Sequence, residues 1–317
     1  MLPALARRAA RGGISTQPPR RCVAYKAPLR DIQFLLHEVN DSRKHYAALH
    51  KSGGALATPE TVQMIIDEAA KFAEQELAPI NEGGDRVGCK QTGPNAVATP
   101  PGFKAAYDTF VEGGWQGISF PEKWGGAGMP ISLSLIQSDM LATANFTWTM
   151  YPGLSKGAIN TLLLHGSDAL QAKYMKKLVS GEWTGTMCLT EPHCGSDLAQ
   201  VSTAAKPLGG GKYALTGTKI FISCGEHDLT SNILHCVLAR LPDAPPGIKG
   251  ISLFAVPKYK VAEDGSLTTE LNGATVGRIE HKMGCHGSST CELNFDGSVG
   301  ELIGQPNKGM SHMFTFM

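Results

Sequence analysis

The feature that most constrains this chain is a single change of rhythm near Thr184. Before it, apolar residues recur every three or four positions, as on a helix with one buried face. After it, Val, Ile, Thr and Tyr gather in short runs between turn residues, as in strands. The two patterns do not alternate. Parallel strands need long, usually helical crossovers, so this segregation predicts an all-helical unit followed by an antiparallel β-barrel or sandwich, and argues against a doubly wound sheet. At 317 residues the chain has room for two such cores.

The helical unit is expected over residues 25–183. Tyr25-Lys26-Ala27-Pro28 opens a run whose Leu29, Ile32, Leu36 and Val39 share one face, and Ser52-Gly53-Gly54 ends it. Thr58 then stands as N-cap, Pro59 at the first helical position and Glu60 where its charge complements the helix dipole. Val62, Ile65, Ile66, Ala69, Phe72 and Ala73 form the stripe, and Pro79 is expected to stop it. Between Glu82 and Pro101, Gly, Asn and Pro without periodicity predict a long loop. Further helices are expected over 101–110, closed by Gly113-Gly114, and over 131–146, 152–164 and 168–179, the last capped by Ser167 and ended by Gly181. The glycines of 121–128 lack both a Lys-Ser/Thr ending and a G-x-G-x-x-G order, so they read as a turn and not a phosphate loop.

The β unit is expected over 184–300, with strands over 198–206, 212–223, 233–240, 251–257 and 290–295. Gly209-Gly210-Gly211 marks a hairpin, and the prolines of 242–247 mark a surface loop. Residues 301–317 read as the entry to another helical segment, with Met310, Met313, Phe314 and Met317 at helical spacing.

Charge is nearly balanced, 29 Lys+Arg against 28 Asp+Glu, so no nucleic-acid partner is implied. The bases are unevenly spread. Arg7, Arg8, Arg11, Arg20, Arg21, Lys26 and Arg30 precede the first acid, Asp31, and with Ser15 and Thr16 residues 1–24 read as a mitochondrial transit peptide, a disordered basic N-terminal arm being the alternative. No run approaches the roughly 18 apolar residues of a membrane span. The eight cysteines contain no C-x-x-C pair and no histidine at zinc-ligand spacing, so no metal site is expected.

The stretch Met187-Cys188-Leu189-Thr190-Glu191-Pro192-His193-Cys194-Gly195-Ser196-Asp197 resembles the flavin-binding signature of the acyl-CoA dehydrogenase family. Gly217-Thr218-Lys219-Ile220-Phe221-Ile222-Ser223 is similar to a second motif of that family, and Lys282-Met283-Gly284 with Ser288-Ser289-Thr290-Cys291-Glu292-Leu293 to a third, in the family's order. Tyr25-Lys26-Ala27-Pro28 and Gly225-Glu226-His227-Asp228-Leu229 resemble the longer members, the group that includes methylthiopropanoyl-CoA dehydrogenase.

The resemblance implies an FAD enzyme that dehydrogenates an acyl-CoA thioester, passes electrons to electron-transfer flavoprotein, forms homo-oligomers and works in the mitochondrial matrix. It implies that Thr190 bonds the isoalloxazine ring, that the backbone at Met187 and Leu189 touches the same ring, and that Ser196 is shared between FAD phosphate and the pantetheine arm of CoA. Phe221 and Ser223 fall where the family packs an aromatic side chain against the flavin and bonds it from a hydroxyl; many members have Trp in place of Phe221. His193 and Cys194 depart from the small residues usual there and read as loop substitutions. Lys219 and Lys282 read as solvated strand charges at least as readily as CoA phosphate contacts.

The resemblance covers residues 25–317, and the family's C-terminal four-helix domain is not among them. No catalytic residue is therefore assigned, because the family takes its base, a Glu, from that domain. A chain of these residues alone is expected to bind FAD poorly and not to turn over. An acyl-CoA oxidase of the same fold, or a non-catalytic flavin- or partner-binding protein ending at Met317, are the rival readings.

Overall fold

The computed structural model describes residues 25–49 and 56–317; the expected transit peptide and the glycine break at 52–54 lie outside them. The chain opens with α1 (Leu29–Gln33), which runs on into a π-helical turn (Phe34–Val39), and α2 (Ser42–Ala48) follows. The widened turn rotates Val39 out of the expected stripe, leaving it exposed while Leu36 is buried.

α3 (Pro59–Phe72) begins as its cap foretells, with Thr58 Oγ1 accepting from the Thr61 N–H at 3.2 Å. It does not end at Pro79. A π turn (Ala73–Leu77), closed by the Ala78 N–H on the Ala73 carbonyl, hands the chain to α4 (Ala78–Val87). Pro79 thus falls in the first turn of a new helix, where a missing N–H costs little. The long loop expected between Glu82 and Pro101 is corrected accordingly: α4 runs through Gly83-Gly84, and a hairpin of β1 (Lys90–Gly93) and β2 (Ala96–Ala98) fills most of the rest. Gly84 is there for packing, since a Cβ on it would sit 2.6 Å from the Phe103 ring. α5 (Phe103–Glu112) ends at Gly113 as expected, and 121–128 is the expected turn.

α6 (Ile131–His165) is a hairpin and not a rod. Lys156 Nζ donates to Ser134 Oγ and to Ser138 Oγ, each at 2.9 Å, across 22 and 18 residues. On a straight helix rising 1.5 Å per residue those positions would lie about 27–33 Å apart. The arms fold back at Asn145, whose φ of −157° and ψ of 86° leave the helical region. Its buried amide caps the second arm, accepting from the Trp148 N–H at 3.0 Å and donating to the Leu77 carbonyl at 3.3 Å. Two helices were expected here and two arms are found, but the break falls at Asn145, and Pro152 lies inside the second arm. α7 (Asp168–Ser180) has its expected caps, Ser167 Oγ on the Leu170 N–H and Gly181 at φ 81°.

The second unit contains β3 (Trp183–Cys188), β4 (Ala204–Gly209), β5 (Lys212–Ser223), β6 (Asn232–Arg240), β7 (Ile251–Pro257), the small pair β8 (Tyr259–Val261) and β9 (Leu267–Leu271), β10 (Ala274–Ile279) and β11 (Thr290–Ile303), before a short α8 (Gly309–Met313). Residues 198–200 form a 3₁₀ turn capped by Asp197, so the strand expected over 198–206 begins only at Ala204. The pairing path β11–β5–β4–β6–β7 returns to β11, which closes the sheet into a barrel. β10 and β3 flank it. The antiparallel expectation holds around most of the barrel but fails at two contacts. β3 runs parallel to β6 along its whole length, and β4 touches β6 in parallel at Ala204 and Arg240. The chain between β3 and β6 is long enough to return before pairing, so it is free to run either way.

β6 shows why its run is apolar throughout. Leu234, Cys236 and Leu238 face the helices, while Val237 and Ala239 face the barrel interior with Leu215, Phe254 and Phe295. The two units meet where β3 crosses the second arm of α6. Ser155 Oγ accepts from the Gly185 N–H at 3.1 Å, and a Cβ on Gly185 would lie 2.3 Å from that of Ala158. All seven cysteines of the described residues are free. Burial pushes the Cys188 and Cys291 thiols up to about 12, so they behave as small apolar side chains.

Replacing Asn145 by Ala removes the cap and the bond to Leu77 together. The expected cost is about 1–3 kcal/mol, read as a lower urea midpoint. An unchanged midpoint would show that the hairpin turns without its cap.

Candidate functional site

The site is built on the continuation of β3. Strand pairing ends at Cys188, and Leu189 and Thr190 lead into a tight turn in which Glu191 and Cys194 exchange both backbone hydrogen bonds, at 2.8 and 3.0 Å. Pro192 and His193 form its tip. Beyond it, Asp197 Oδ1 accepts from the Ala199 N–H at 3.1 Å, which fixes the Gly195-Ser196-Asp197 bend. Thr190 is tied to the neighbouring strand by its carbonyl, which accepts from the Ile220 N–H at 2.8 Å.

β3 is the terminal strand of the sheet order, so one edge of its backbone is unpaired with any strand. The Gly185 N–H points outward from that edge, toward Ser155. Strand alternation aims the Met187 N–H the same way. The side chains of Met187 and Leu189 pack back against the helices, and the Leu189 carbonyl turns inward to accept from Lys219 Nζ.

Opposite them, β5 is bulged. Ile222 pairs with Cys291 and Lys219 with Leu293, so Ile220 and Phe221 together face one residue of β11. Phe221 takes up the extra length with a φ of 57°, a left-handed conformation costing an aromatic residue about 1–3 kcal/mol. The bulge swings its ring out of the sheet, leaving it 59% exposed. Ser223 ends β5 half-buried. Among the described residues the hydroxyls of Thr190, Ser196 and Ser223 make no hydrogen bond, and neither does the outward Met187 N–H. An exposed aromatic ring, unbonded hydroxyls and an open strand edge suit a flat polar-rimmed ring system, and the residues present therefore fit a flavin.

The sequence misplaces one of the site's charges. Lys219, read as solvated, has no exposed surface, and its Nζ lies 2.8 Å from Glu191 Oε1 and 3.1 Å from the Leu189 carbonyl. Glu191 is 2% exposed and accepts four more bonds: from the Ser202 N–H and Oγ at 2.8 Å each, and from the Thr203 N–H and Oγ1 at 3.0 and 2.6 Å. Gly217 makes room for this, because a Cβ there would sit 2.5 Å from Thr203 Oγ1. Burial works to raise the Glu191 carboxyl, but Lys219 and the Thr203 and Ser202 donors outweigh it and bring it down to about 2. The signal was present in the alternation of β5, where Lys219 shares its parity with the buried Leu215.

His193 and Cys194 gain a third neighbour in Glu191, the three ligand atoms lying within 4.8 Å of one another. The Glu191 carboxylate is already committed to five donors, so the cluster is part of the turn. Lys282 folds onto its own loop, donating to the Ser288 carbonyl.

Helices propping the edge strand of a closed barrel, with a flavin-shaped rim at that edge, define a two-part flavoprotein scaffold. Two family models match it: "acyl-CoA dehydrogenase, N-terminal domain" over residues 59–182 and "acyl-CoA dehydrogenase, middle domain" over residues 186–298. The chain belongs to the acyl-CoA dehydrogenase family, and FAD is the cofactor that membership implies. It is 40% identical over 295 residues to the 3-methylmercaptopropionyl-CoA dehydrogenase of Ruegeria pomeroyi, covering 93% of this chain and 49% of that protein. A butyryl-CoA dehydrogenase of Syntrophomonas wolfei is 38% identical over 305 residues, 92% of this chain and 49% of its own length. The butyryl-CoA dehydrogenase structure from Megasphaera elsdenii superposes with a TM-score of 0.64 at 27% identity, over 80% of this chain and 61% of that one. The chain thus spans about half the length of the curated relatives it matches.

The Glu191 carboxyl sets a pH dependence. Its folded value is depressed from 4.5 to about 2, so the stability it contributes is present above the ordinary value and is lost as pH falls from 4.5 toward 2. Urea midpoints measured across that range should fall more steeply for the wild type than for Glu191→Gln. Parallel declines would show that this carboxyl is not the group titrating.

Proposed function

We propose that this chain is the flavin-holding part of an enzyme that oxidises the Cα–Cβ bond of an acyl-CoA thioester to a double bond. The observation that best supports this is the bulge that turns Phe221 outward beside the unbonded hydroxyls of Thr190 and Ser223. FAD, when bound, supplies the acceptor for the hydride leaving the β-carbon. On this reading Phe221 packs on the ring system, with less area than a Trp would give. Thr190 and Ser223 hold the polar edge, the Met187 and Leu189 N–H groups donate along the open strand, and Ser196 serves the FAD phosphates and the pantetheine arm of CoA. Such donors stabilise negative charge developing on the ring.

Glu191 is not the base. A carboxyl held near 2 and saturated with donors is a weak proton acceptor at neutral pH. Proton abstraction falls to a carboxylate outside these residues, as the family resemblance implies.

The names of the relatives favour a short, straight acyl group, since they act on methylmercaptopropionyl-CoA and butyryl-CoA. Electron-transfer flavoprotein is the acceptor this reading calls for. Association of copies is supported by the exposed Ile131, Leu135 and Phe146 on α6. The Arg-rich, acid-free residues 1–24 support import into the mitochondrial matrix.

In the whole protein, butyryl-CoA with an artificial electron acceptor should give turnover well above that with a branched acyl-CoA, and no turnover with either would end the dehydrogenase reading. Thr190→Val should weaken FAD binding by about 1.5–3 kcal/mol, the worth of a hydrogen bond to a charged group, without lowering the unfolding temperature. An unshifted FAD affinity would show that Thr190 does not touch the ring. Deleting residues 1–24 from a fluorescent fusion should abolish mitochondrial localisation; unchanged localisation would refute the targeting assignment.

A further inference from the structure

Burying Glu191 and Lys219 is a poor way to stabilise a barrel. Desolvating two charges offsets most of their attraction, and apolar residues of similar volume often fill such a space equally well or better. What the pair does that apolar residues cannot is hold a direction. Glu191 directly follows Thr190 in the chain, and Lys219 precedes Phe221 by two residues. Three bonds join these segments within a few residues of each other. Lys219 Nζ reaches the Leu189 carbonyl at 3.1 Å and Glu191 Oε1 at 2.8 Å, and the Ile220 N–H reaches the Thr190 carbonyl at 2.8 Å.

No paired strand does this work. β3 and β5 are not neighbours in the sheet, β4 and β6 lying between them, so no ladder fixes the distance from Thr190 to Phe221. The strained bulge at Phe221 directly follows these tethers, the Ile220 N–H bond lying between Lys219 and Phe221. The Ser202 donors hold Glu191 Oε2 and the Thr203 donors share Oε1 with Lys219, so the carboxylate is a fixed post against which the lysine is drawn.

We propose that Glu191 and Lys219 are positioning residues for the flavin, their ion pair setting the spacing and angle between Thr190 on one segment and Phe221 and Ser223 on the other. The proposal rests on the flavin reading given above. It assigns a role to two residues that touch neither the ring nor the substrate.

The test is the double variant Glu191→Gln with Lys219→Met in the whole protein. Gln keeps one acceptor oxygen, enough for the donors of Ser202 or of Thr203 but not both, and Met keeps the length of the lysine stem, so neither leaves a buried charge unpaired. The unfolding temperature should fall by no more than about 4–8 °C, the effect of one lost buried hydrogen bond, and less than in the single variant Lys219→Met. FAD affinity, followed by quenching of flavin fluorescence, should fall about tenfold or more. In the flavin-free protein, hydrogen exchange at the Ile220 N–H should rise by about the same factor while the β6 amides stay protected. The single variant Lys219→Met serves as the contrast, because it strands Glu191 and should lower stability as well. A double variant with wild-type FAD affinity, or with unchanged exchange at Ile220, would overturn the positioning role alone. A wild-type protein that binds no FAD would overturn the flavin reading and this proposal with it.

Discussion

The architecture depends on one close approach, that of Gly185 in β3 to Ala158 in α6. No side chain fits between them, so the edge strand of the barrel lies directly on the second arm of the helical hairpin. That contact fixes where the strand ends, and everything at the site is referred to that end. The turn at Glu191, the outward N–H groups and the bend at Ser196 are all carried on a strand whose height is set by helices. A substitution at Ala158 therefore acts on the cofactor rim although it lies in the other unit.

The same logic explains the helices. A hairpin is needed to present a long arm to β3 while keeping the first arm packed against α3, and Asn145 supplies the corner. Its amide is bonded on both sides, once within the hairpin and once to the π turn before α4. The irregular turn that carries the chain past Pro79 and the corner of the hairpin are thus one connected feature.

Much of this was legible in the residues, and the failures have physical causes. Thr58, Ser167, Gly113 and Gly181 act through local bonds, so their signals survive folding and the helices they cap were readable. Pro79 misled because a π turn re-registers the backbone, and no composition rule records an i to i+5 bond. The glycines of α4 looked like loop, whereas Gly84 answers to a ring nineteen positions away in sequence, Phe103. At the site, Thr190 is tied to Ile220 beside Phe221, while Lys219 is buried against a partner 28 residues distant. Long-range pairing is what a single sequence hides.

The longest-range pairing in the barrel has a consequence for how the chain acquires its shape. β5 is matched along its length by β11, from Ser223 with Thr290 to Lys212 with Glu301, so the ring of strands cannot shut until the last strand exists. Helix hairpins close on local contacts and form fast, whereas pairings this far apart carry a loop-closure cost before they yield any contact energy. During synthesis the helical arms are ready first, and β3 emerges onto a surface already in place. The barrel is then assembled against a template, with the edge strand seated before its neighbours arrive.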